Sequence, residues 1–187
     1  MGAATLESLA ADAAGCTACR LHEARTKVVF GTGSGQSGLL FVGEGPGRDE
    51  DLQGEPFVGR SGQLLDRLVL EELGLTRASC YIANVVKCRP PGNRDPLPDE
   101  VAACAPYLEG QLSLLDPAVV ITLGNVATRV LLQTDEPISA LRGREHPWRG
   151  RVVVPTFHPA YALRGGGGVM AQMRADLVRA KQALARR

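Results

Sequence analysis

Four cysteines in the sequence are spaced so that they could share one metal centre. Cys16 and Cys19 are separated by two residues, whereas Cys88 and Cys104 come later, with fifteen residues between them. A two-residue spacer lets both thiolates face one ion, and four thiolates suit either Zn²⁺ or an iron–sulfur cluster. The spacing does not decide between these centres, although a zinc ribbon more typically carries a second close pair. Cys80 precedes a predicted strand, and we expect it to be an ordinary buried cysteine.

The surroundings of the close pair argue against a redox motif. Cys16 and Cys19 precede every predicted strand, whereas a thioredoxin-type motif follows a strand and opens a helix. The first residues lack the basic start and the apolar centre of a secretory signal, and no run of about 18 apolar residues suggests a membrane span. We therefore expect a cytoplasmic protein whose cysteines stay reduced.

A second segment that could carry chemistry runs from Val42 to Gly59. It begins as the end of an apolar run, is rich in Gly and Pro, and carries Phe57 as its only aromatic side chain. Its acidic residues are Glu44, Asp49, Glu50, Asp51 and Glu55. Loops of this length and composition are uncommon in a compact domain unless they have a function. We call this segment the acidic loop, and we expect Asp49 and Asp51 in it to be solvated.

The charge of the chain is small but uneven. The net charge is +1, yet the segment from Arg142 to Arg187 contains ten Arg and Lys against two Asp and Glu. A basic segment of this kind suits a surface that binds a polyanion such as nucleic acid. The alternative is a solvated helix face in a chain that is rich in Arg.

Apolar strands alternate with amphipathic helices along the chain. With 187 residues and 44% hydrophobic content, residues 1–187 can form one domain with a full core. The alternation predicts an α/β fold with a mostly parallel sheet covered on both faces. The predicted strands are Leu39–Gly43, Tyr81–Val86, Val119–Leu123 and Val152–Phe157, and the predicted helices are Gly62–Leu73, Asp99–Leu115, Asn125–Leu132 and Ala171–Leu184.

Ligands of such folds bind beyond the carboxyl ends of the parallel strands. Three segments lie at such ends, namely the acidic loop, residues 84–91 and residues 157–164. We expect these segments to meet at one edge of the sheet.

Six short motifs occur in the order found in one known family. They are Cys16-x₂-Cys19, Gly43-Glu-Gly-Pro-Gly47, Gly54-Glu-Pro-Phe-Val-Gly-Arg-Ser-Gly62, Asn84-Val-Val-Lys-Cys-Arg-Pro-Pro91, Leu97-Pro-Asp-Glu100 and His158-Pro-Ala-Tyr-Ala-Leu-Arg164. Through these motifs the chain resembles the family 4, iron–sulfur uracil-DNA glycosylases. The resemblance implies a three-layer α/β/α fold with a short, mostly parallel sheet. It also implies a structural [4Fe-4S] cluster, to which the N-terminal segment contributes, on Cys16, Cys19, Cys88 and Cys104.

The resemblance further implies a monomeric DNA-repair hydrolase that removes uracil from single- or double-stranded DNA. Such an enzyme extrudes the base and breaks the bond between uracil N1 and the deoxyribose C1′. It must stabilise a cationic sugar and an anionic base, and it must admit one water. Asn84 is expected to read uracil O4 and N3–H with its amide. His158 is expected to donate to uracil O2, and Glu44 to orient the water or stabilise the sugar.

The acidic loop supplies the other pocket residues that the resemblance implies. Phe57 is expected to stack on the extruded base. Gly45, Pro46 and Gly47 are expected to bring the backbone close to the base edge. Glu50 is expected to fill the space beside Gly47, where other branches of the superfamily place a bulky ring against the thymine methyl.

Contacts to the DNA backbone are expected from helix starts and small-residue loops. Ser61, Gly62 and Arg164 are the candidates. Many relatives carry Leu at the position of Ala162 as a wedge into the vacated base stack. Leu163 or Tyr161 is the candidate wedge here.

Two other functions fit part of the pattern. A related branch traps uracil-DNA covalently, but it carries a basic, His-containing insertion after the strand that ends near Asn84, whereas residues 87–98 contain no His. A non-catalytic iron–sulfur module that binds DNA would share the cysteines and the basic segment. Such a module would not need Glu44, Asn84 and His158 together.

Overall fold

A six-stranded sheet runs through the centre of the computed structural model, which describes residues 5–187. The strands are β1 (Thr32–Gly33), β2 (Leu39–Gly43), β3 (Tyr81–Asn84), β4 (Val119–Leu123), β5 (His146–Trp148) and β6 (Arg151–Thr156). Their order across the sheet is β1-β3-β2-β4-β6-β5. The four inner strands run parallel, and β1 and β5 pair antiparallel at the two edges.

The inner strands are the four that the apolar runs predict. β2 and β4 are buried along their whole length, as strands are when helices cover both faces of a parallel sheet. β3 ends at Asn84 and β6 at Thr156, slightly before the predicted ends. β1 and β5 are not predicted, because two or three residues with Gly or Pro among them make no apolar pattern.

Helices cover both faces of the sheet, which confirms the three-layer α/β/α fold. The helices are α1 (Leu6–Ala14), α2 (Arg48–Gln53), α3 (Arg60–Leu68), α4 (Pro98–Leu115), α5 (Asn125–Leu132), α6 (Ile138–Leu141) and α7 (Pro159–Ala185). A π-helical turn, Val69–Leu73, continues α3. Leu65 of α3 and Leu177 of α7 belong to the core on one face, while Leu108 of α4 and Ala127 of α5 belong to the core on the other. Within residues 5–187, no helix combines the length and the apolar character that crossing a bilayer requires.

The acidic loop is more ordered than its composition predicts. It contains α2, and Asp51 in that helix is buried rather than solvated. Asp51 Oδ1 accepts hydrogen bonds from the backbone N–H groups of Thr26 at 2.8 Å and Lys27 at 3.4 Å. The expectation of a solvated Asp51 is therefore wrong, because its carboxylate binds the segment that follows the first cysteine pair. Asp49 is exposed, as predicted.

The last helix begins earlier than its pattern predicts. α7 starts at Pro159 instead of Ala171, because Gly165–Gly168 dilute the helical pattern in between. Gly166 has a φ of 71°, which divides α7 into a short first part and a long second part. The first part lies at the carboxyl edge of the sheet.

Ion pairs occupy much of the basic C-terminal segment. The pairs are Arg142–Asp176, Arg149–Glu109, Arg151–Asp116, Arg174 with Glu71 and Glu72, and Arg186–Glu145. Five of the ten basic residues in this segment are thus ion-paired, so the segment is not one continuous polyanion-binding surface.

Candidate active site

The three strand-end segments meet, as predicted, around one cavity of about 750 Å³ at the carboxyl edge of the sheet. Its volume is within the range of pockets that enclose small molecules. The eight pocket residues that the sequence predicts all line it, namely Glu44, Gly45, Pro46, Gly47, Glu50, Phe57, Asn84 and His158. Ser61 and Arg164 lie at its border with a second groove.

Asn84 carries a buried amide oxygen at this cavity. Its side chain is 1% exposed, and Oδ1 has no hydrogen-bond partner within residues 5–187. A buried acceptor without a partner is unfavourable by about 1–3 kcal/mol, so such an atom in a folded protein has a reason. Gly43 provides the space, because a Cβ there would lie 2.6 Å from Phe57 Cζ and would overlap Asn84 Oδ1.

A buried lysine donates a hydrogen bond to the backbone of Asn84. Lys87 Nζ donates to the Asn84 carbonyl at 2.7 Å and to Gln111 Oε1 at 2.7 Å. Burial lowers the pKa of Lys87 to about 7. The backbone N–H of Lys87 donates to Cys104 Sγ at 3.2 Å, so this residue connects the cavity to a predicted cluster ligand. The sequence contains no signal for this connection.

Phe57 forms one wall of the cavity in a backbone conformation that non-glycine residues seldom adopt. Its φ is 54°, which is unfavourable by about 1–3 kcal/mol and is found mostly at functional sites. Arg77 donates to the Phe57 carbonyl at 2.9 Å and to the Pro56 carbonyl at 2.6 Å, and Asp66 pairs with Arg77 at 3.2 Å. Gly62 is buried against the Phe57 carbonyl with no space for a Cβ. Gly62 therefore packs against the loop, whereas Ser61 beside it is partly exposed and lines the cavity.

Glu50 fixes the acidic loop from the opposite side. Its Oε2 accepts from the Gly47 N–H at 3.1 Å, and its Oε1 accepts from the N–H groups of Val58 and Gly59 at 3.0 and 3.3 Å. A Cβ on Gly47 would lie 2.8 Å from Glu50 Oε2. Glu50 thus lies beside Gly47 at the cavity wall. The turn that carries Phe57 is held by Arg77 through its carbonyls and by Glu50 through its amides.

His158 is a neutral imidazole of defined tautomer. Its Nδ1 accepts a hydrogen bond from the Ala160 N–H at 3.1 Å, which places the ring proton on Nε2. Burial, with a further contribution from Arg164, lowers the pKa of His158 to about 4. The ring centroid lies 5.6 Å from that of Phe57. The cavity therefore contains an N–H donor that stays uncharged at neutral pH.

Glu44 is half-buried and is accompanied by a carboxylate that sequence reasoning missed. Burial, and then the neighbouring Asp95, raise the pKa of Glu44 to about 7. Asp95 lines the same cavity from the loop after β3. Asp95 lies four residues beyond the segment 84–91 that was expected at this edge, so the prediction did not include it.

A groove of about 580 Å³ borders the cavity. Three exposed arginines line it, Arg48, Arg60 and Arg164, together with Ser61 near the start of α3. Leu163 also lines it and is 43% exposed. Ala162, in contrast, is 2% exposed and belongs to the core, and Tyr161 lines the cavity and packs on Phe157 with centroids 5.1 Å apart. The structure thus brings the predicted DNA contacts together, with the exception of Gly62.

The four predicted cluster ligands line a second, small cavity. It is bounded by Cys16, Cys19, Cys88 and Cys104, with apolar neighbours such as Leu21 and Val28. Arg25 donates to the Cys16 carbonyl at 2.6 Å and to Cys88 Sγ at 3.4 Å. Cys80 is buried elsewhere, as predicted. Within residues 5–187, no group of three or more His, Cys, Asp or Glu side chains is arranged to hold a metal ion.

The parallel α/β sheet brings a buried amide, an aromatic ring and an N–H donor around one cavity, an arrangement that suits the class of proteins that bind a planar nucleobase. Comparison with known families agrees with this class. The model of the uracil DNA glycosylase superfamily matches residues 30–184, which include every residue named at the larger cavity, and the chain belongs to that superfamily.

Individual relatives refine this assignment. The chain is 49% identical over 151 residues to a type-4 uracil-DNA glycosylase of Thermotoga maritima, covering 80% of this chain and 78% of the relative. It is 41% identical over 167 residues to a type-4 uracil-DNA glycosylase of Sulfurisphaera tokodaii, covering 85% and 76%. Identity to a type-5 uracil-DNA glycosylase of Thermus thermophilus is 31% over 158 residues, covering 76% and 66%. The chain is thus more similar to these type-4 proteins than to the type-5 protein.

Proposed function

We propose that this protein is a uracil-DNA glycosylase that extrudes uracil from DNA and hydrolyses its N-glycosidic bond, leaving an abasic site. The observation that carries this proposal is the unpaired Oδ1 of Asn84, buried at a cavity between Phe57 and His158. The type-4 names of the relatives support the same reaction.

Asn84 selects the base. Its amide accepts from uracil N3–H through Oδ1 and donates to O4 through Nδ2. Cytosine offers an unprotonated N3 and an N4 amino group at these positions, so it would leave the buried Oδ1 unpaired and be rejected. The Lys87 contact to the Asn84 carbonyl keeps this amide in place.

His158 and Phe57 stabilise the bound base and its departure. Phe57 stacks on the uracil ring, and the Nε2–H of His158 donates to O2, where negative charge grows as the C1′–N1 bond breaks. A neutral imidazole is suited to this task because it stabilises the negative charge through a hydrogen bond, while its own protonation state does not change.

Glu44 acts on the other side of the broken bond. As a carboxylate it orients the attacking water, accepts its proton and stabilises the cationic sugar. Gly45, Pro46 and Gly47 line the base edge, and the carboxylate of Glu50 beside Gly47 leaves no space for the methyl group of thymine. Glu50 therefore provides the selection of uracil over thymine.

The arginine groove holds the DNA backbone. Arg48, Arg60 and Arg164 contact phosphates, as does Ser61 at the start of α3. Leu163, the exposed apolar side chain in the groove, enters the stack that the extruded base leaves; Ala162 is buried and is unable to do so. The substrate is uracil-containing DNA, single- or double-stranded.

We propose that the four thiols of the cysteine cavity, Cys16, Cys19, Cys88 and Cys104, would hold a [4Fe-4S] cluster. Support comes from their position around one small cavity and from two N–H donors, Arg25 and the Lys87 backbone, that contact the sulfurs of Cys88 and Cys104. The cluster would tie the N-terminal segment to the loop after β3 and to α4. Its role is structural, since it lies outside the base cavity.

We propose that the protein works as a cytoplasmic monomer, because one chain supplies every residue of the cavity. Covalent trapping is disfavoured, since residues 87–98 contain no His. Simple DNA binding is disfavoured as well, because it has no use for a buried amide and a neutral imidazole at one cavity.

The test is incubation of the protein with an oligonucleotide that holds one deoxyuridine, beside a thymine control. Alkali-dependent cleavage at uracil alone is expected, and Asn84→Ala should lose it while remaining folded. A protein–DNA band on a denaturing protein gel would indicate covalent trapping instead. The absence of both signals from folded wild-type protein would reject the proposed activity.

A further inference from the structure

A buried carboxylate on α7 binds the last residue of β6, which lies two positions before His158. Asp176 is 1% exposed, and its Oδ2 accepts a hydrogen bond from Thr156 Oγ1 at 2.7 Å. The same carboxylate accepts from Arg142 Nε at 2.9 Å and from Arg142 Nη2 at 2.7 Å. Buried charged and polar groups occur in folded proteins when their hydrogen bonds are satisfied, as they are in this carboxylate. We call Thr156, Asp176 and Arg142 the strand-end cluster.

The strand-end cluster also contacts Phe157, the residue between Thr156 and His158. The guanidinium carbon of Arg142 lies 5.5 Å from the centroid of the Phe157 ring, which is a cation–π distance. The backbone of Thr156 is held as well, because its carbonyl accepts from the Gly124 N–H at 2.9 Å. The backbone and the side chain of Thr156 are therefore both fixed immediately before the cavity residues Phe157 and His158.

The hydrogen bond from Thr156 to Asp176 bypasses the break in α7. His158 caps the first part of this helix, whereas Asp176 lies in the second part, beyond Gly166. Because the backbone is not helical at Gly166, the second part does not hold the first part through a continuous helix. Asp176 and its neighbour Leu177 are both buried, so the second part is fixed by the core. The contact with Thr156 connects this fixed part directly to the strand end that precedes His158.

We propose that Asp176 is a positioning residue for His158, which it holds through Thr156 so that the imidazole Nε2–H is directed at uracil O2. This inference rests on the proposed glycosylase function. Asp176 does not touch the base; it fixes the strand end from which His158 projects. A donor stabilises the charge that grows on the departing base only when it is held at hydrogen-bond distance. Since a displacement of about 1 Å can lower a rate by about 100-fold, a small movement of His158 should be measurable.

Single-turnover excision of uracil from single-stranded DNA tests this role. Thr156→Val replaces the hydroxyl with a methyl group, while Arg142 still pairs with Asp176. We expect excision to fall about tenfold, and Thr156→Ser, which keeps the hydroxyl, should recover most of the loss. Asp176→Asn should be at least as slow, because an amide N–H replaces one of the two acceptor oxygens. Asp116→Asn is the matched control, since it removes an exposed partner of Arg151 and should leave excision unchanged.

A second background separates positioning of His158 from a general effect on the fold. Thr156→Val should lower excision about tenfold in the wild-type protein but less than about twofold in a His158→Gln background, because residues that act through one another are not additive. The thermal unfolding midpoint confirms that each variant is folded at the temperature of the assay.

Three results would overturn the inference. The first is wild-type excision by folded Thr156→Val and Asp176→Asn. The second is an equal loss from Thr156→Val with and without His158, since the effect would then not pass through the imidazole. The third is a Thr156→Ser variant as slow as Thr156→Val, since the hydroxyl would then not matter. Wild-type protein without excision would instead reject the glycosylase function, so the two failures are distinguishable.

Discussion

Gly43 lies beside Asn84 on the neighbouring strand, and its lack of a side chain leaves space for the Asn84 amide. These residues end neighbouring parallel strands and are paired in register. A Cβ on Gly43 would overlap Asn84 Oδ1 and lie 2.6 Å from Phe57 Cζ. The Asn84 amide and the Phe57 ring therefore share a space that exists because β2 ends in glycine.

We expect Gly43→Ala to lower uracil excision by about 100-fold or more, because displacing catalytic groups by about 1 Å has effects of that size. The measurement is single-turnover excision, with the thermal unfolding midpoint to confirm folding. Gly168→Ala is a matched control, since a Cβ there meets nothing within 4 Å. Near wild-type excision by folded Gly43→Ala would show that Asn84 and Phe57 do not need this arrangement.

The two hydrogen bonds that Arg77 donates to the Phe57 and Pro56 carbonyls should be required for the position of Phe57. Arg77→Met removes both donors to the carbonyls of Pro56 and Phe57, and Arg77→Lys leaves one point donor in place of a fork. We expect excision to fall about tenfold or more in Arg77→Met and less in Arg77→Lys. The reason is that the Phe57 backbone, no longer held by Arg77, would leave its left-handed conformation and move the ring. Arg67→Met, on the exposed side of α3, is the control. Unchanged excision in both Arg77 variants would remove this residue from the account of the site.

These residues show what the sequence can and cannot predict. Asn84 ends one apolar strand and His158 follows another, so their convergence follows from the rule that parallel strands end at one edge. Arg77 and Asp95 act on residues far from them in the chain, through contacts that depend on the paths of two loops. No periodicity or motif encodes such a path, and both were missed.

The same limit explains the errors within single segments. α2 was missed because Gly and Pro dominate the composition of the acidic loop, while Glu50 accepts from the amide of Gly47 at the helix start. Asp51 was placed in solvent because its partners, the amides of Thr26 and Lys27, lie in a segment without any pattern.

The cysteine assignment predicts a clear division among the five cysteines. Cys88→Ala should lose bound iron and sulfide and unfold at lower temperature, because the cluster would tie α4 to the N-terminal segment. Cys80→Ala is the control and should keep its iron, since Cys80 is buried outside the cysteine cavity. Chemical analysis of iron and sulfide measures both. Wild-type protein that binds zinc and no iron would contradict the cluster, and equal iron in Cys88→Ala would contradict the ligand assignment.

The groove predicts which arginines determine the salt dependence of DNA binding. Arg60→Gln and Arg164→Gln should each reduce the slope of log affinity against log salt concentration by about one, because each removes one phosphate contact. Arg174→Gln should leave the slope unchanged, since Arg174 is paired with Glu71 and Glu72. Fluorescence anisotropy with a labelled oligonucleotide at several salt concentrations measures all three. A slope that responds to Arg174 but not to Arg60 would place the DNA on the ion-paired C-terminal face instead.

The depressed pKa of His158 predicts a specific dependence of stability on pH. Burial lowers the pKa from 6.5 to about 4, so between these values the unfolded chain binds a proton at this residue and the folded chain does not. The free energy of unfolding therefore rises with pH across this window, and the stabilisation, complete above pH 6.5, is lost as the pH falls towards 4. Denaturant unfolding of wild type and His158→Gln at each pH isolates the effect, because the other titrating groups are common to both. The stability of wild type relative to the variant should increase with pH up to about 6.5 and then stay level. The histidine ring signals in NMR should show His158 mainly neutral at pH values above about 4. A difference that is constant from pH 4 to pH 7, or a ring that titrates near pH 6.5, would show that folding does not lower the pKa of His158 and would contradict a donor that stays neutral down to about pH 4.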